Sequence, residues 1–166
     1  NWLYFQCIYI IYSWIMTNSH GIMLEAIKCA EEGKSIGEVP VGAVIYCPET
    51  SQIISKSFNK TIKNCDPTAH AEINVIRDAC KKLKKSRLTD YDLYVTLEPC
   101  IMCAAAISQA RIRRLYFGAD DLKYGSINGG INYFQKNNTN HLPEIYDNIC
   151  SDSCNRLLTN FFKERR

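Results

Sequence analysis

Two short motifs contain residue types that bind metals and move protons. In the first, Glu72 follows His70 by two positions; in the second, Cys100 and Cys103 are three positions apart, directly after Pro99. Residues three apart lie on one face of a helix, so both sulfur atoms can reach one ion. Each motif is predicted to open a helix, where the helix dipole and free backbone N–H groups stabilise thiolates.

Two thiolates and one imidazole are a typical ligand set for Zn²⁺. His70, Cys100 and Cys103 would fill three positions of a tetrahedral site, and an open fourth position is typical of catalytic zinc. Glu72 is then interpreted as a carboxylate that does not bind the metal but accepts a proton from a zinc-activated water. Because residues i and i+2 do not share a helix face, His70 is predicted to lie at the very edge of its helix.

Each motif alone has another explanation. A Cys-x-x-Cys pair also occurs in redox proteins and in structural zinc sites, and His-x-Glu is common by chance. The two motifs in this order, with proline before the first cysteine, match the signature of zinc deaminases that act on nucleobases. The sequence therefore predicts one catalytic zinc per chain. A second metal site formed by His141, Cys150 and Cys154 is the less favoured alternative, because free buried cysteine is common.

Composition narrows the class of protein. The 166 residues fit one domain, and 46% hydrophobic and 22% charged residues are ordinary for a globular protein. Nine cysteines, an odd number scattered along the chain, argue against a disulfide framework and for reduced thiols in the cytoplasm. The net charge of +3 permits nucleic-acid binding without requiring it.

Residues 1–15 differ from the rest of the chain, since they carry no charge and are rich in Trp, Tyr and Ile. They lack the basic start and cleavage site of a signal peptide, and the apolar run is too short to span a bilayer. We expect an apolar N-terminal extension outside the fold over 1–15, no membrane association, and a zinc-dependent deaminase domain over 16–166. Thr17, Asn18 and Ser19 are expected to cap the first helix.

The elements that must position the motifs follow from hydrophobic periodicity and turn residues. Helices are predicted over 22–32, 69–85, 100–109 and 151–164. Strands are predicted over 41–46, 52–58, 93–97 and 115–117, with the first two forming a hairpin. The Gly- and Asn-rich segment 125–140 is predicted to be loop with at most one helical turn. Strands that alternate with helices indicate an α/β sandwich around one sheet.

Several stretches resemble the bacterial tRNA-specific adenosine deaminases of the cytidine deaminase-like superfamily. They are 38–44, 66–73, 93–103, 117–119 and 161–166. The zinc motif marks only the superfamily, whereas the flanking matches indicate the adenosine branch. The resemblance implies a three-layer α/β/α sandwich with a five-stranded mixed sheet and a homodimer. It also implies hydrolytic deamination of adenosine to inosine at the wobble position of a tRNA anticodon stem-loop.

The resemblance also implies roles for individual residues. His70, Cys100 and Cys103 match zinc ligands, and Glu72 matches the proton shuttle. Further positions match a side chain that holds the target nucleoside, two pocket walls, a backbone N–H that donates to the base, and a region that contacts RNA. They are, in that order, Asn59; Val39 and Leu97; Ala71; and Asp121, Lys123, Arg165 and Arg166.

Two other functions stay open at this point. A deaminase of a free base or nucleotide, of guanine or cytosine type, could have the same zinc site. The basic C-terminal helix and the Asp-Pro-Thr run at 66–68 favour tRNA over that alternative. A non-catalytic zinc-binding module is the third interpretation. Glu72 argues against it, because a structural site needs a fourth ligand rather than a proton-transferring carboxylate.

Overall fold

One five-stranded mixed sheet forms the centre of the computed structural model, which describes residues 2–129, 131–135 and 139–165. The strands are β1 Gly42–Cys47, β2 Gln52–Phe58, β3 Asp92–Leu97, β4 Arg114–Ala119 and β5 Glu144–Tyr146. Their order across the sheet is β2-β1-β3-β4-β5. Strand β1 pairs antiparallel with β2 and β3, whereas β3, β4 and β5 run parallel.

Four helices cover the two faces of the sheet. They are α1 Trp2–Ser35, α2 Ala71–Leu83, α3 Ile101–Ala110 and α4 Ser151–Lys163. Successive strand residues point to opposite faces, so Ile45 packs in the hydrophobic cluster with α2 and α3, while Val44 packs in the cluster with α1 and α4. This arrangement confirms the predicted three-layer α/β/α sandwich.

Most predicted elements are present, with the predicted hairpin formed by β1 and β2. Strand β5 was missed as a separate element. It has only three residues and no alternating pattern, and its pairing with β4 is what defines it. Within the loop predicted over 125–140, the described residues contain one short 3-10 turn, Tyr133–Gln135, in agreement with the prediction.

Helix α1 is longer than predicted, since it runs without a break from Trp2 to Ser35. The residues expected to cap it at Thr17–Ser19 therefore lie inside the helix. No proline occurs in this stretch, and Ser19 is buried, with its hydroxyl 3.4 Å from the Tyr94 hydroxyl. The domain boundary at residue 16 stays a prediction. No helix in the described part of the chain is both long and apolar enough to cross a membrane.

Candidate active site

The two helices that carry the motifs begin at neighbouring points of the fold. His70 is the residue that precedes α2, and Cys100 is the residue that precedes α3. Both have extended backbone, with φ −67° and ψ 155° at His70 and φ −72° and ψ 171° at Cys100. His70 therefore lies at the edge of its helix, as predicted, which lets its ring face the cysteines while Glu72 belongs to the first turn.

Three potential metal ligands converge between these helix starts. His70 Nδ1 lies 3.7 Å from Cys100 Sγ and 3.5 Å from Cys103 Sγ, and the three donor atoms lie within 4.8 Å of one another. Typical Zn–N and Zn–S bond lengths in a tetrahedral site give an N-to-S separation of about 3.6 Å. The donor types and their spacing therefore fit a zinc ion.

The alternative second metal site is not assembled. Among the side chains that the structure describes, His70, Cys100 and Cys103 form the single cluster of this kind. His141 Nε2 instead lies 2.7 Å from the backbone carbonyl oxygen of Ile112, and the backbone N–H of His141 donates to the Ser108 hydroxyl at 3.0 Å.

Hydrogen bonds within the cluster shift the pKa of each member. A hydrogen bond from Cys103, with a further one from His70, lowers the pKa of the Cys100 thiol to about 4. The same bond to Cys100, together with burial, raises the pKa of Cys103. The bond to Cys100 also raises the pKa of His70. A thiolate at Cys100 is thus favoured by the protein itself, and a bound divalent cation would favour deprotonation further.

Glu72 lies in the first turn of α2 beside this cluster and is 4% exposed. Burial raises the pKa of its carboxyl group to about 7, although a backbone hydrogen bond and the charge of His70 oppose the shift. A carboxyl group that titrates near neutral pH can both accept and release a proton during one reaction cycle. The structure therefore gives Glu72 an environment suited to proton transfer.

A cleft of about 900 Å³ opens over the cluster. His70, Glu72 and Cys100 line it, and so do most of the residues predicted to bind substrate. Those residues are Val39, Asn59, Leu97, Asp121 and Lys123. The fold thus gathers these positions from five separate parts of the chain around one opening, which is of the size that commonly holds a small ligand.

The other predicted substrate residues have different placements. The Ala71 backbone N–H donates a hydrogen bond of 2.8 Å to Asn59 Oδ1. Two groups that were predicted to contact the nucleoside are therefore hydrogen-bonded to each other. Arg165 is exposed, donates to the Gly37 carbonyl oxygen at 2.8 Å and lies 4.1 Å over the Phe161 ring, and it does not line the cleft. Arg166 lies outside the described residues.

A buried glutamate that the sequence analysis did not single out holds the segment on one side of the cleft. Glu38 is 1% exposed. Its Oε1 accepts the backbone N–H groups of Ile62 and Lys63 at 3.0 and 2.8 Å, and its Oε2 accepts the Thr61 hydroxyl at 3.2 Å. Thr61 lines the cleft, so Glu38 fixes part of its wall.

Glu98 plays the corresponding structural part on the other side of the cleft. It is 3% exposed and follows directly after β3. Its Oε2 accepts the Asp121 backbone N–H at 3.0 Å, and its Oε1 accepts those of Ile127 and Asn128 at 2.8 Å each. The signal that could have identified Glu98 is a carboxylate directly after a largely apolar, buried strand, where burial requires partners.

Comparison with known proteins gives consistent results. The family model described as MafB19-like deaminase matches residues 17–166. The chain is 47% identical to the tRNA-specific adenosine deaminase of Rickettsia bellii, over 87% of this chain and 99% of that protein. A structure solved in studies of A-to-I editing by tRNA:A34 deaminases at the wobble position of transfer RNA is 46% identical, with a TM-score of 0.79, over 82% of this chain and 97% of that one.

A guanine deaminase from Bacillus subtilis is a more limited match. It is 40% identical with a TM-score of 0.56, and the match covers 59% of this chain and 62% of that one. The similarity to the tRNA:A34 deaminase structure therefore extends over a larger share of the chain and has a higher TM-score.

Proposed function

Because the chain belongs to the MafB19-like deaminase family, together with relatives named tRNA-specific adenosine deaminase, we propose that it converts adenosine to inosine at the wobble position of a tRNA. The observation that carries this proposal is the cluster of His70, Cys100 and Cys103, with buried Glu72 beside it, in a cleft of about 900 Å³. Asp121 and Lys123, which match positions that contact RNA in the family that this chain resembles, line the opening of the same cleft.

The cofactor in this proposal is one zinc ion per chain, held by His70 Nδ1 and by the sulfur atoms of Cys100 and Cys103. A bound zinc ion supplies the Lewis acidity that makes water nucleophilic near neutral pH. Support comes from the donor types, from their separations of 3.5 and 3.7 Å, and from the lowered pKa of Cys100.

Glu72 moves the protons in the proposed reaction. Its carboxylate takes a proton from the attacking water and delivers it to N1 of the adenine ring as the oxygen bonds to C6. It then transfers the second proton to the exocyclic amine, the C6–N bond breaks, and ammonia leaves. One group serves both transfers because its buried carboxyl group titrates near neutrality.

The target nucleoside occupies the cleft above Glu72. Asn59, which lines the cleft and is held by the Ala71 N–H at its Oδ1, forms the polar edge that faces the nucleoside. Val39 and Leu97 form apolar walls on either side of the base. The base must leave any stack to enter, and an anticodon loop offers one that is already unpaired.

The RNA surrounding the target nucleoside contacts the opening of the cleft. Asp121 and Lys123 line that opening, and Lys123 is an exposed cation available to a phosphate group. Arg165 adds positive charge on the opposite, Glu38 side of the cleft, since it donates to the Gly37 carbonyl oxygen two residues before Val39. Arg166, which lies outside the described residues, is the second C-terminal cation in the proposal. Phosphate contacts of this kind supply affinity that weakens with salt.

The proposal also includes the bounds of the domain, the oligomeric state and the cellular location of the protein. We assign the deaminase domain to 16–166 and propose a homodimer that pairs the outer face of the α2 and α3 layer, where Ile101 is 46% exposed and Met102, Ala105 and Ala106 are half-buried. Sedimentation at micromolar concentration should therefore give twice the monomer mass.

A cytoplasmic location agrees with a tRNA substrate and with the free cysteines among the described side chains.

The second candidate function is deamination of free guanine, which the similarity to the Bacillus subtilis guanine deaminase favours. Incubation of zinc-loaded protein with unmodified tRNA, followed by nucleoside analysis, separates the two. We expect inosine in place of the wobble adenosine and no consumption of free guanine. Unchanged tRNA together with conversion of guanine to xanthine would reject the proposed function.

A further inference from the structure

The loop over 120–129, here called the rim loop, leaves β4 and borders the cleft. Its side chains give it little apolar anchoring on the cleft side, because Leu122 is 99% and Tyr124 63% exposed. Lys123 is also exposed and lines the opening. Ile127, near the end of the loop, is buried in the core cluster and anchors that end. The backbone that carries the exposed residues beside the cleft depends instead on hydrogen bonds to the rest of the fold.

Glu98 supplies those bonds to the rim loop. Its carboxylate binds the Asp121 N–H at one end of the loop and the Ile127 and Asn128 N–H groups at the other. Among the described residues it forms no ion pair with a Lys, Arg or His side chain. Backbone N–H groups thus provide the compensation that a buried carboxylate requires.

Asp121 connects Glu98 to the exposed cation Lys123. The side chain of Asp121 accepts the backbone N–H groups of Lys123 and Tyr124 through Oδ1, at 3.0 Å each. The loop is also attached to the segment after Glu98, since the Ser126 N–H and hydroxyl both donate to the Pro99 carbonyl oxygen at 3.1 and 2.9 Å. One carboxylate therefore connects the rim loop to the strand end that precedes Cys100.

We propose that Glu98 is a positioning residue for the RNA substrate. By holding both ends of the rim loop, it directs Lys123 towards the opening of the cleft, where an RNA phosphate passes. The proposal rests on the proposed function, because it assumes an RNA strand that enters the cleft. Glu98 itself does not touch the reacting atoms.

The variant Glu98→Gln keeps the shape of the side chain but replaces an acceptor by an amide –NH₂. That group donates only, so at least one backbone N–H of the rim loop loses its partner and faces another donor. The loop should then leave its position, and binding of an anticodon stem-loop should weaken by about tenfold or more.

Substitution of two glycines in the rim loop tests the contact between Glu98 and this loop without changing Glu98 itself. A Cβ added at Gly125 would collide with the Glu98 carboxylate and with the Asp121 carbonyl oxygen. A Cβ added at Gly129 would meet nothing closer than the Asp121 carbonyl oxygen at 4.0 Å, and alanine keeps the Gly129 backbone N–H that donates to Glu98 Oε1 at 3.4 Å. Gly125→Ala should therefore reproduce the effect of Glu98→Gln, whereas Gly129→Ala should bind RNA like the unmodified chain.

The experiment measures the dissociation constant of a fluorescent anticodon stem-loop at several salt concentrations, with zinc-loaded full chain. Loss of one phosphate contact lowers the slope of log K against log salt by about 0.7 to 0.9. We expect that loss in Lys123→Ala, Glu98→Gln and Gly125→Ala, with zinc content unchanged in the first two. Because the backbone of Gly125 pairs with that of Cys100, the zinc content of Gly125→Ala is measured beside its RNA binding. The double variant Glu98→Gln with Lys123→Ala should bind no more weakly than Glu98→Gln alone, because both changes remove the same contact.

Several results would overturn the proposal that Glu98 positions the rim loop for RNA. A Glu98→Gln protein that keeps the original salt slope, or whose effect adds to that of Lys123→Ala, would overturn the proposal, because a general loss of stability does not remove one phosphate contact. If Glu98→Gln does not fold, Gly125→Ala against Gly129→Ala decides, and equal RNA binding by these two overturns it. Failure of the unmodified chain to bind the stem-loop rejects the proposed function as well.

Discussion

The floor and the rim of the cleft are built in different ways. At the floor, His70, Cys100 and Cys103 belong to the starts of two helices packed on one sheet, and their ligand atoms lie within 4.8 Å of one another. At the rim, Lys123 lies on an exposed loop whose position depends on a carboxylate that is distant in sequence. The difference indicates that chemistry and RNA recognition can be altered separately, and the following variants test that separation.

The largest effect is expected at the floor, in Cys100→Ala. This change removes the sulfur whose pKa the protein lowers most, so two ligands remain and zinc binding should be lost together with all activity. Metal analysis should give near one equivalent of zinc for the unmodified chain and almost none for the variant. Cys65→Ala, at an exposed cysteine, is the control and should keep its zinc. Two equivalents in the unmodified chain would reveal a second site.

Glu72→Ala should abolish turnover but leave both metal and RNA binding intact. A general acid–base group contributes about 10² to 10⁴ in rate, and two proton transfers by one group favour the upper end. Single-turnover kinetics with a stem-loop, beside metal analysis, measure the two quantities. Glu31→Ala, on the exposed side of α1, is the control. Loss of zinc from the Glu72 variant would make Glu72 a ligand and contradict the proposed mechanism.

Asn59→Ala lies between the floor and the rim and should have an intermediate effect. The Ala71 N–H loses its partner, and the nucleoside loses a polar contact, so kcat/KM should fall by about 10- to 100-fold. Zinc content and the salt dependence of binding should not change. Exposed Asn64→Ala is the matched control. A changed salt slope in the Asn59 variant would show that the nucleoside pocket and the rim are not separable.

The smallest effect is expected at the rim, in Lys123→Ala. Affinity for the stem-loop should fall several-fold and the salt slope by about 0.7 to 0.9, while the rate at saturating RNA stays the same. Lys84→Ala, at the far end of α2, controls for the loss of one positive charge. A fall by orders of magnitude in the rate of the Lys123 variant at saturating RNA would show that the rim participates in the chemistry. The floor and the rim would then not have separate roles.

The same difference explains how much the sequence could predict. His70, Cys100 and Cys103 were predicted to converge because each motif opens a helix and the cysteine spacing follows the helical period. The residues that hold the loops, Glu38 and Glu98, were missed because their partners are backbone N–H groups distant in sequence, 24 and 25 positions away for Glu38 and 23 to 30 for Glu98. The local sequence can indicate that such a carboxylate needs partners, but no local pattern identifies which backbone groups they are.

Strand β5 and the start of α1 were missed for related reasons. Strand β5 has three residues, too few to show a period of two, and it exists through its pairing with β4. For α1, polar residues at 17–19 were interpreted as a helix start, although such residues also occur inside helices when a tertiary contact engages them. Ser19 is buried near Tyr94, which is a contact of that kind.

Deamination of an adenosine within a tRNA anticodon is tested most directly by comparing substrates under one set of conditions. Zinc-loaded protein is given an anticodon stem-loop with a wobble adenosine, or free adenosine, guanine or cytosine, at equal concentrations, and product formation is followed at low and high salt. The proposed function predicts inosine in the stem-loop, formed more slowly as salt rises, and much slower conversion of every free compound. Faster turnover of any free base or nucleoside, or activity on the stem-loop that is independent of salt, would contradict it.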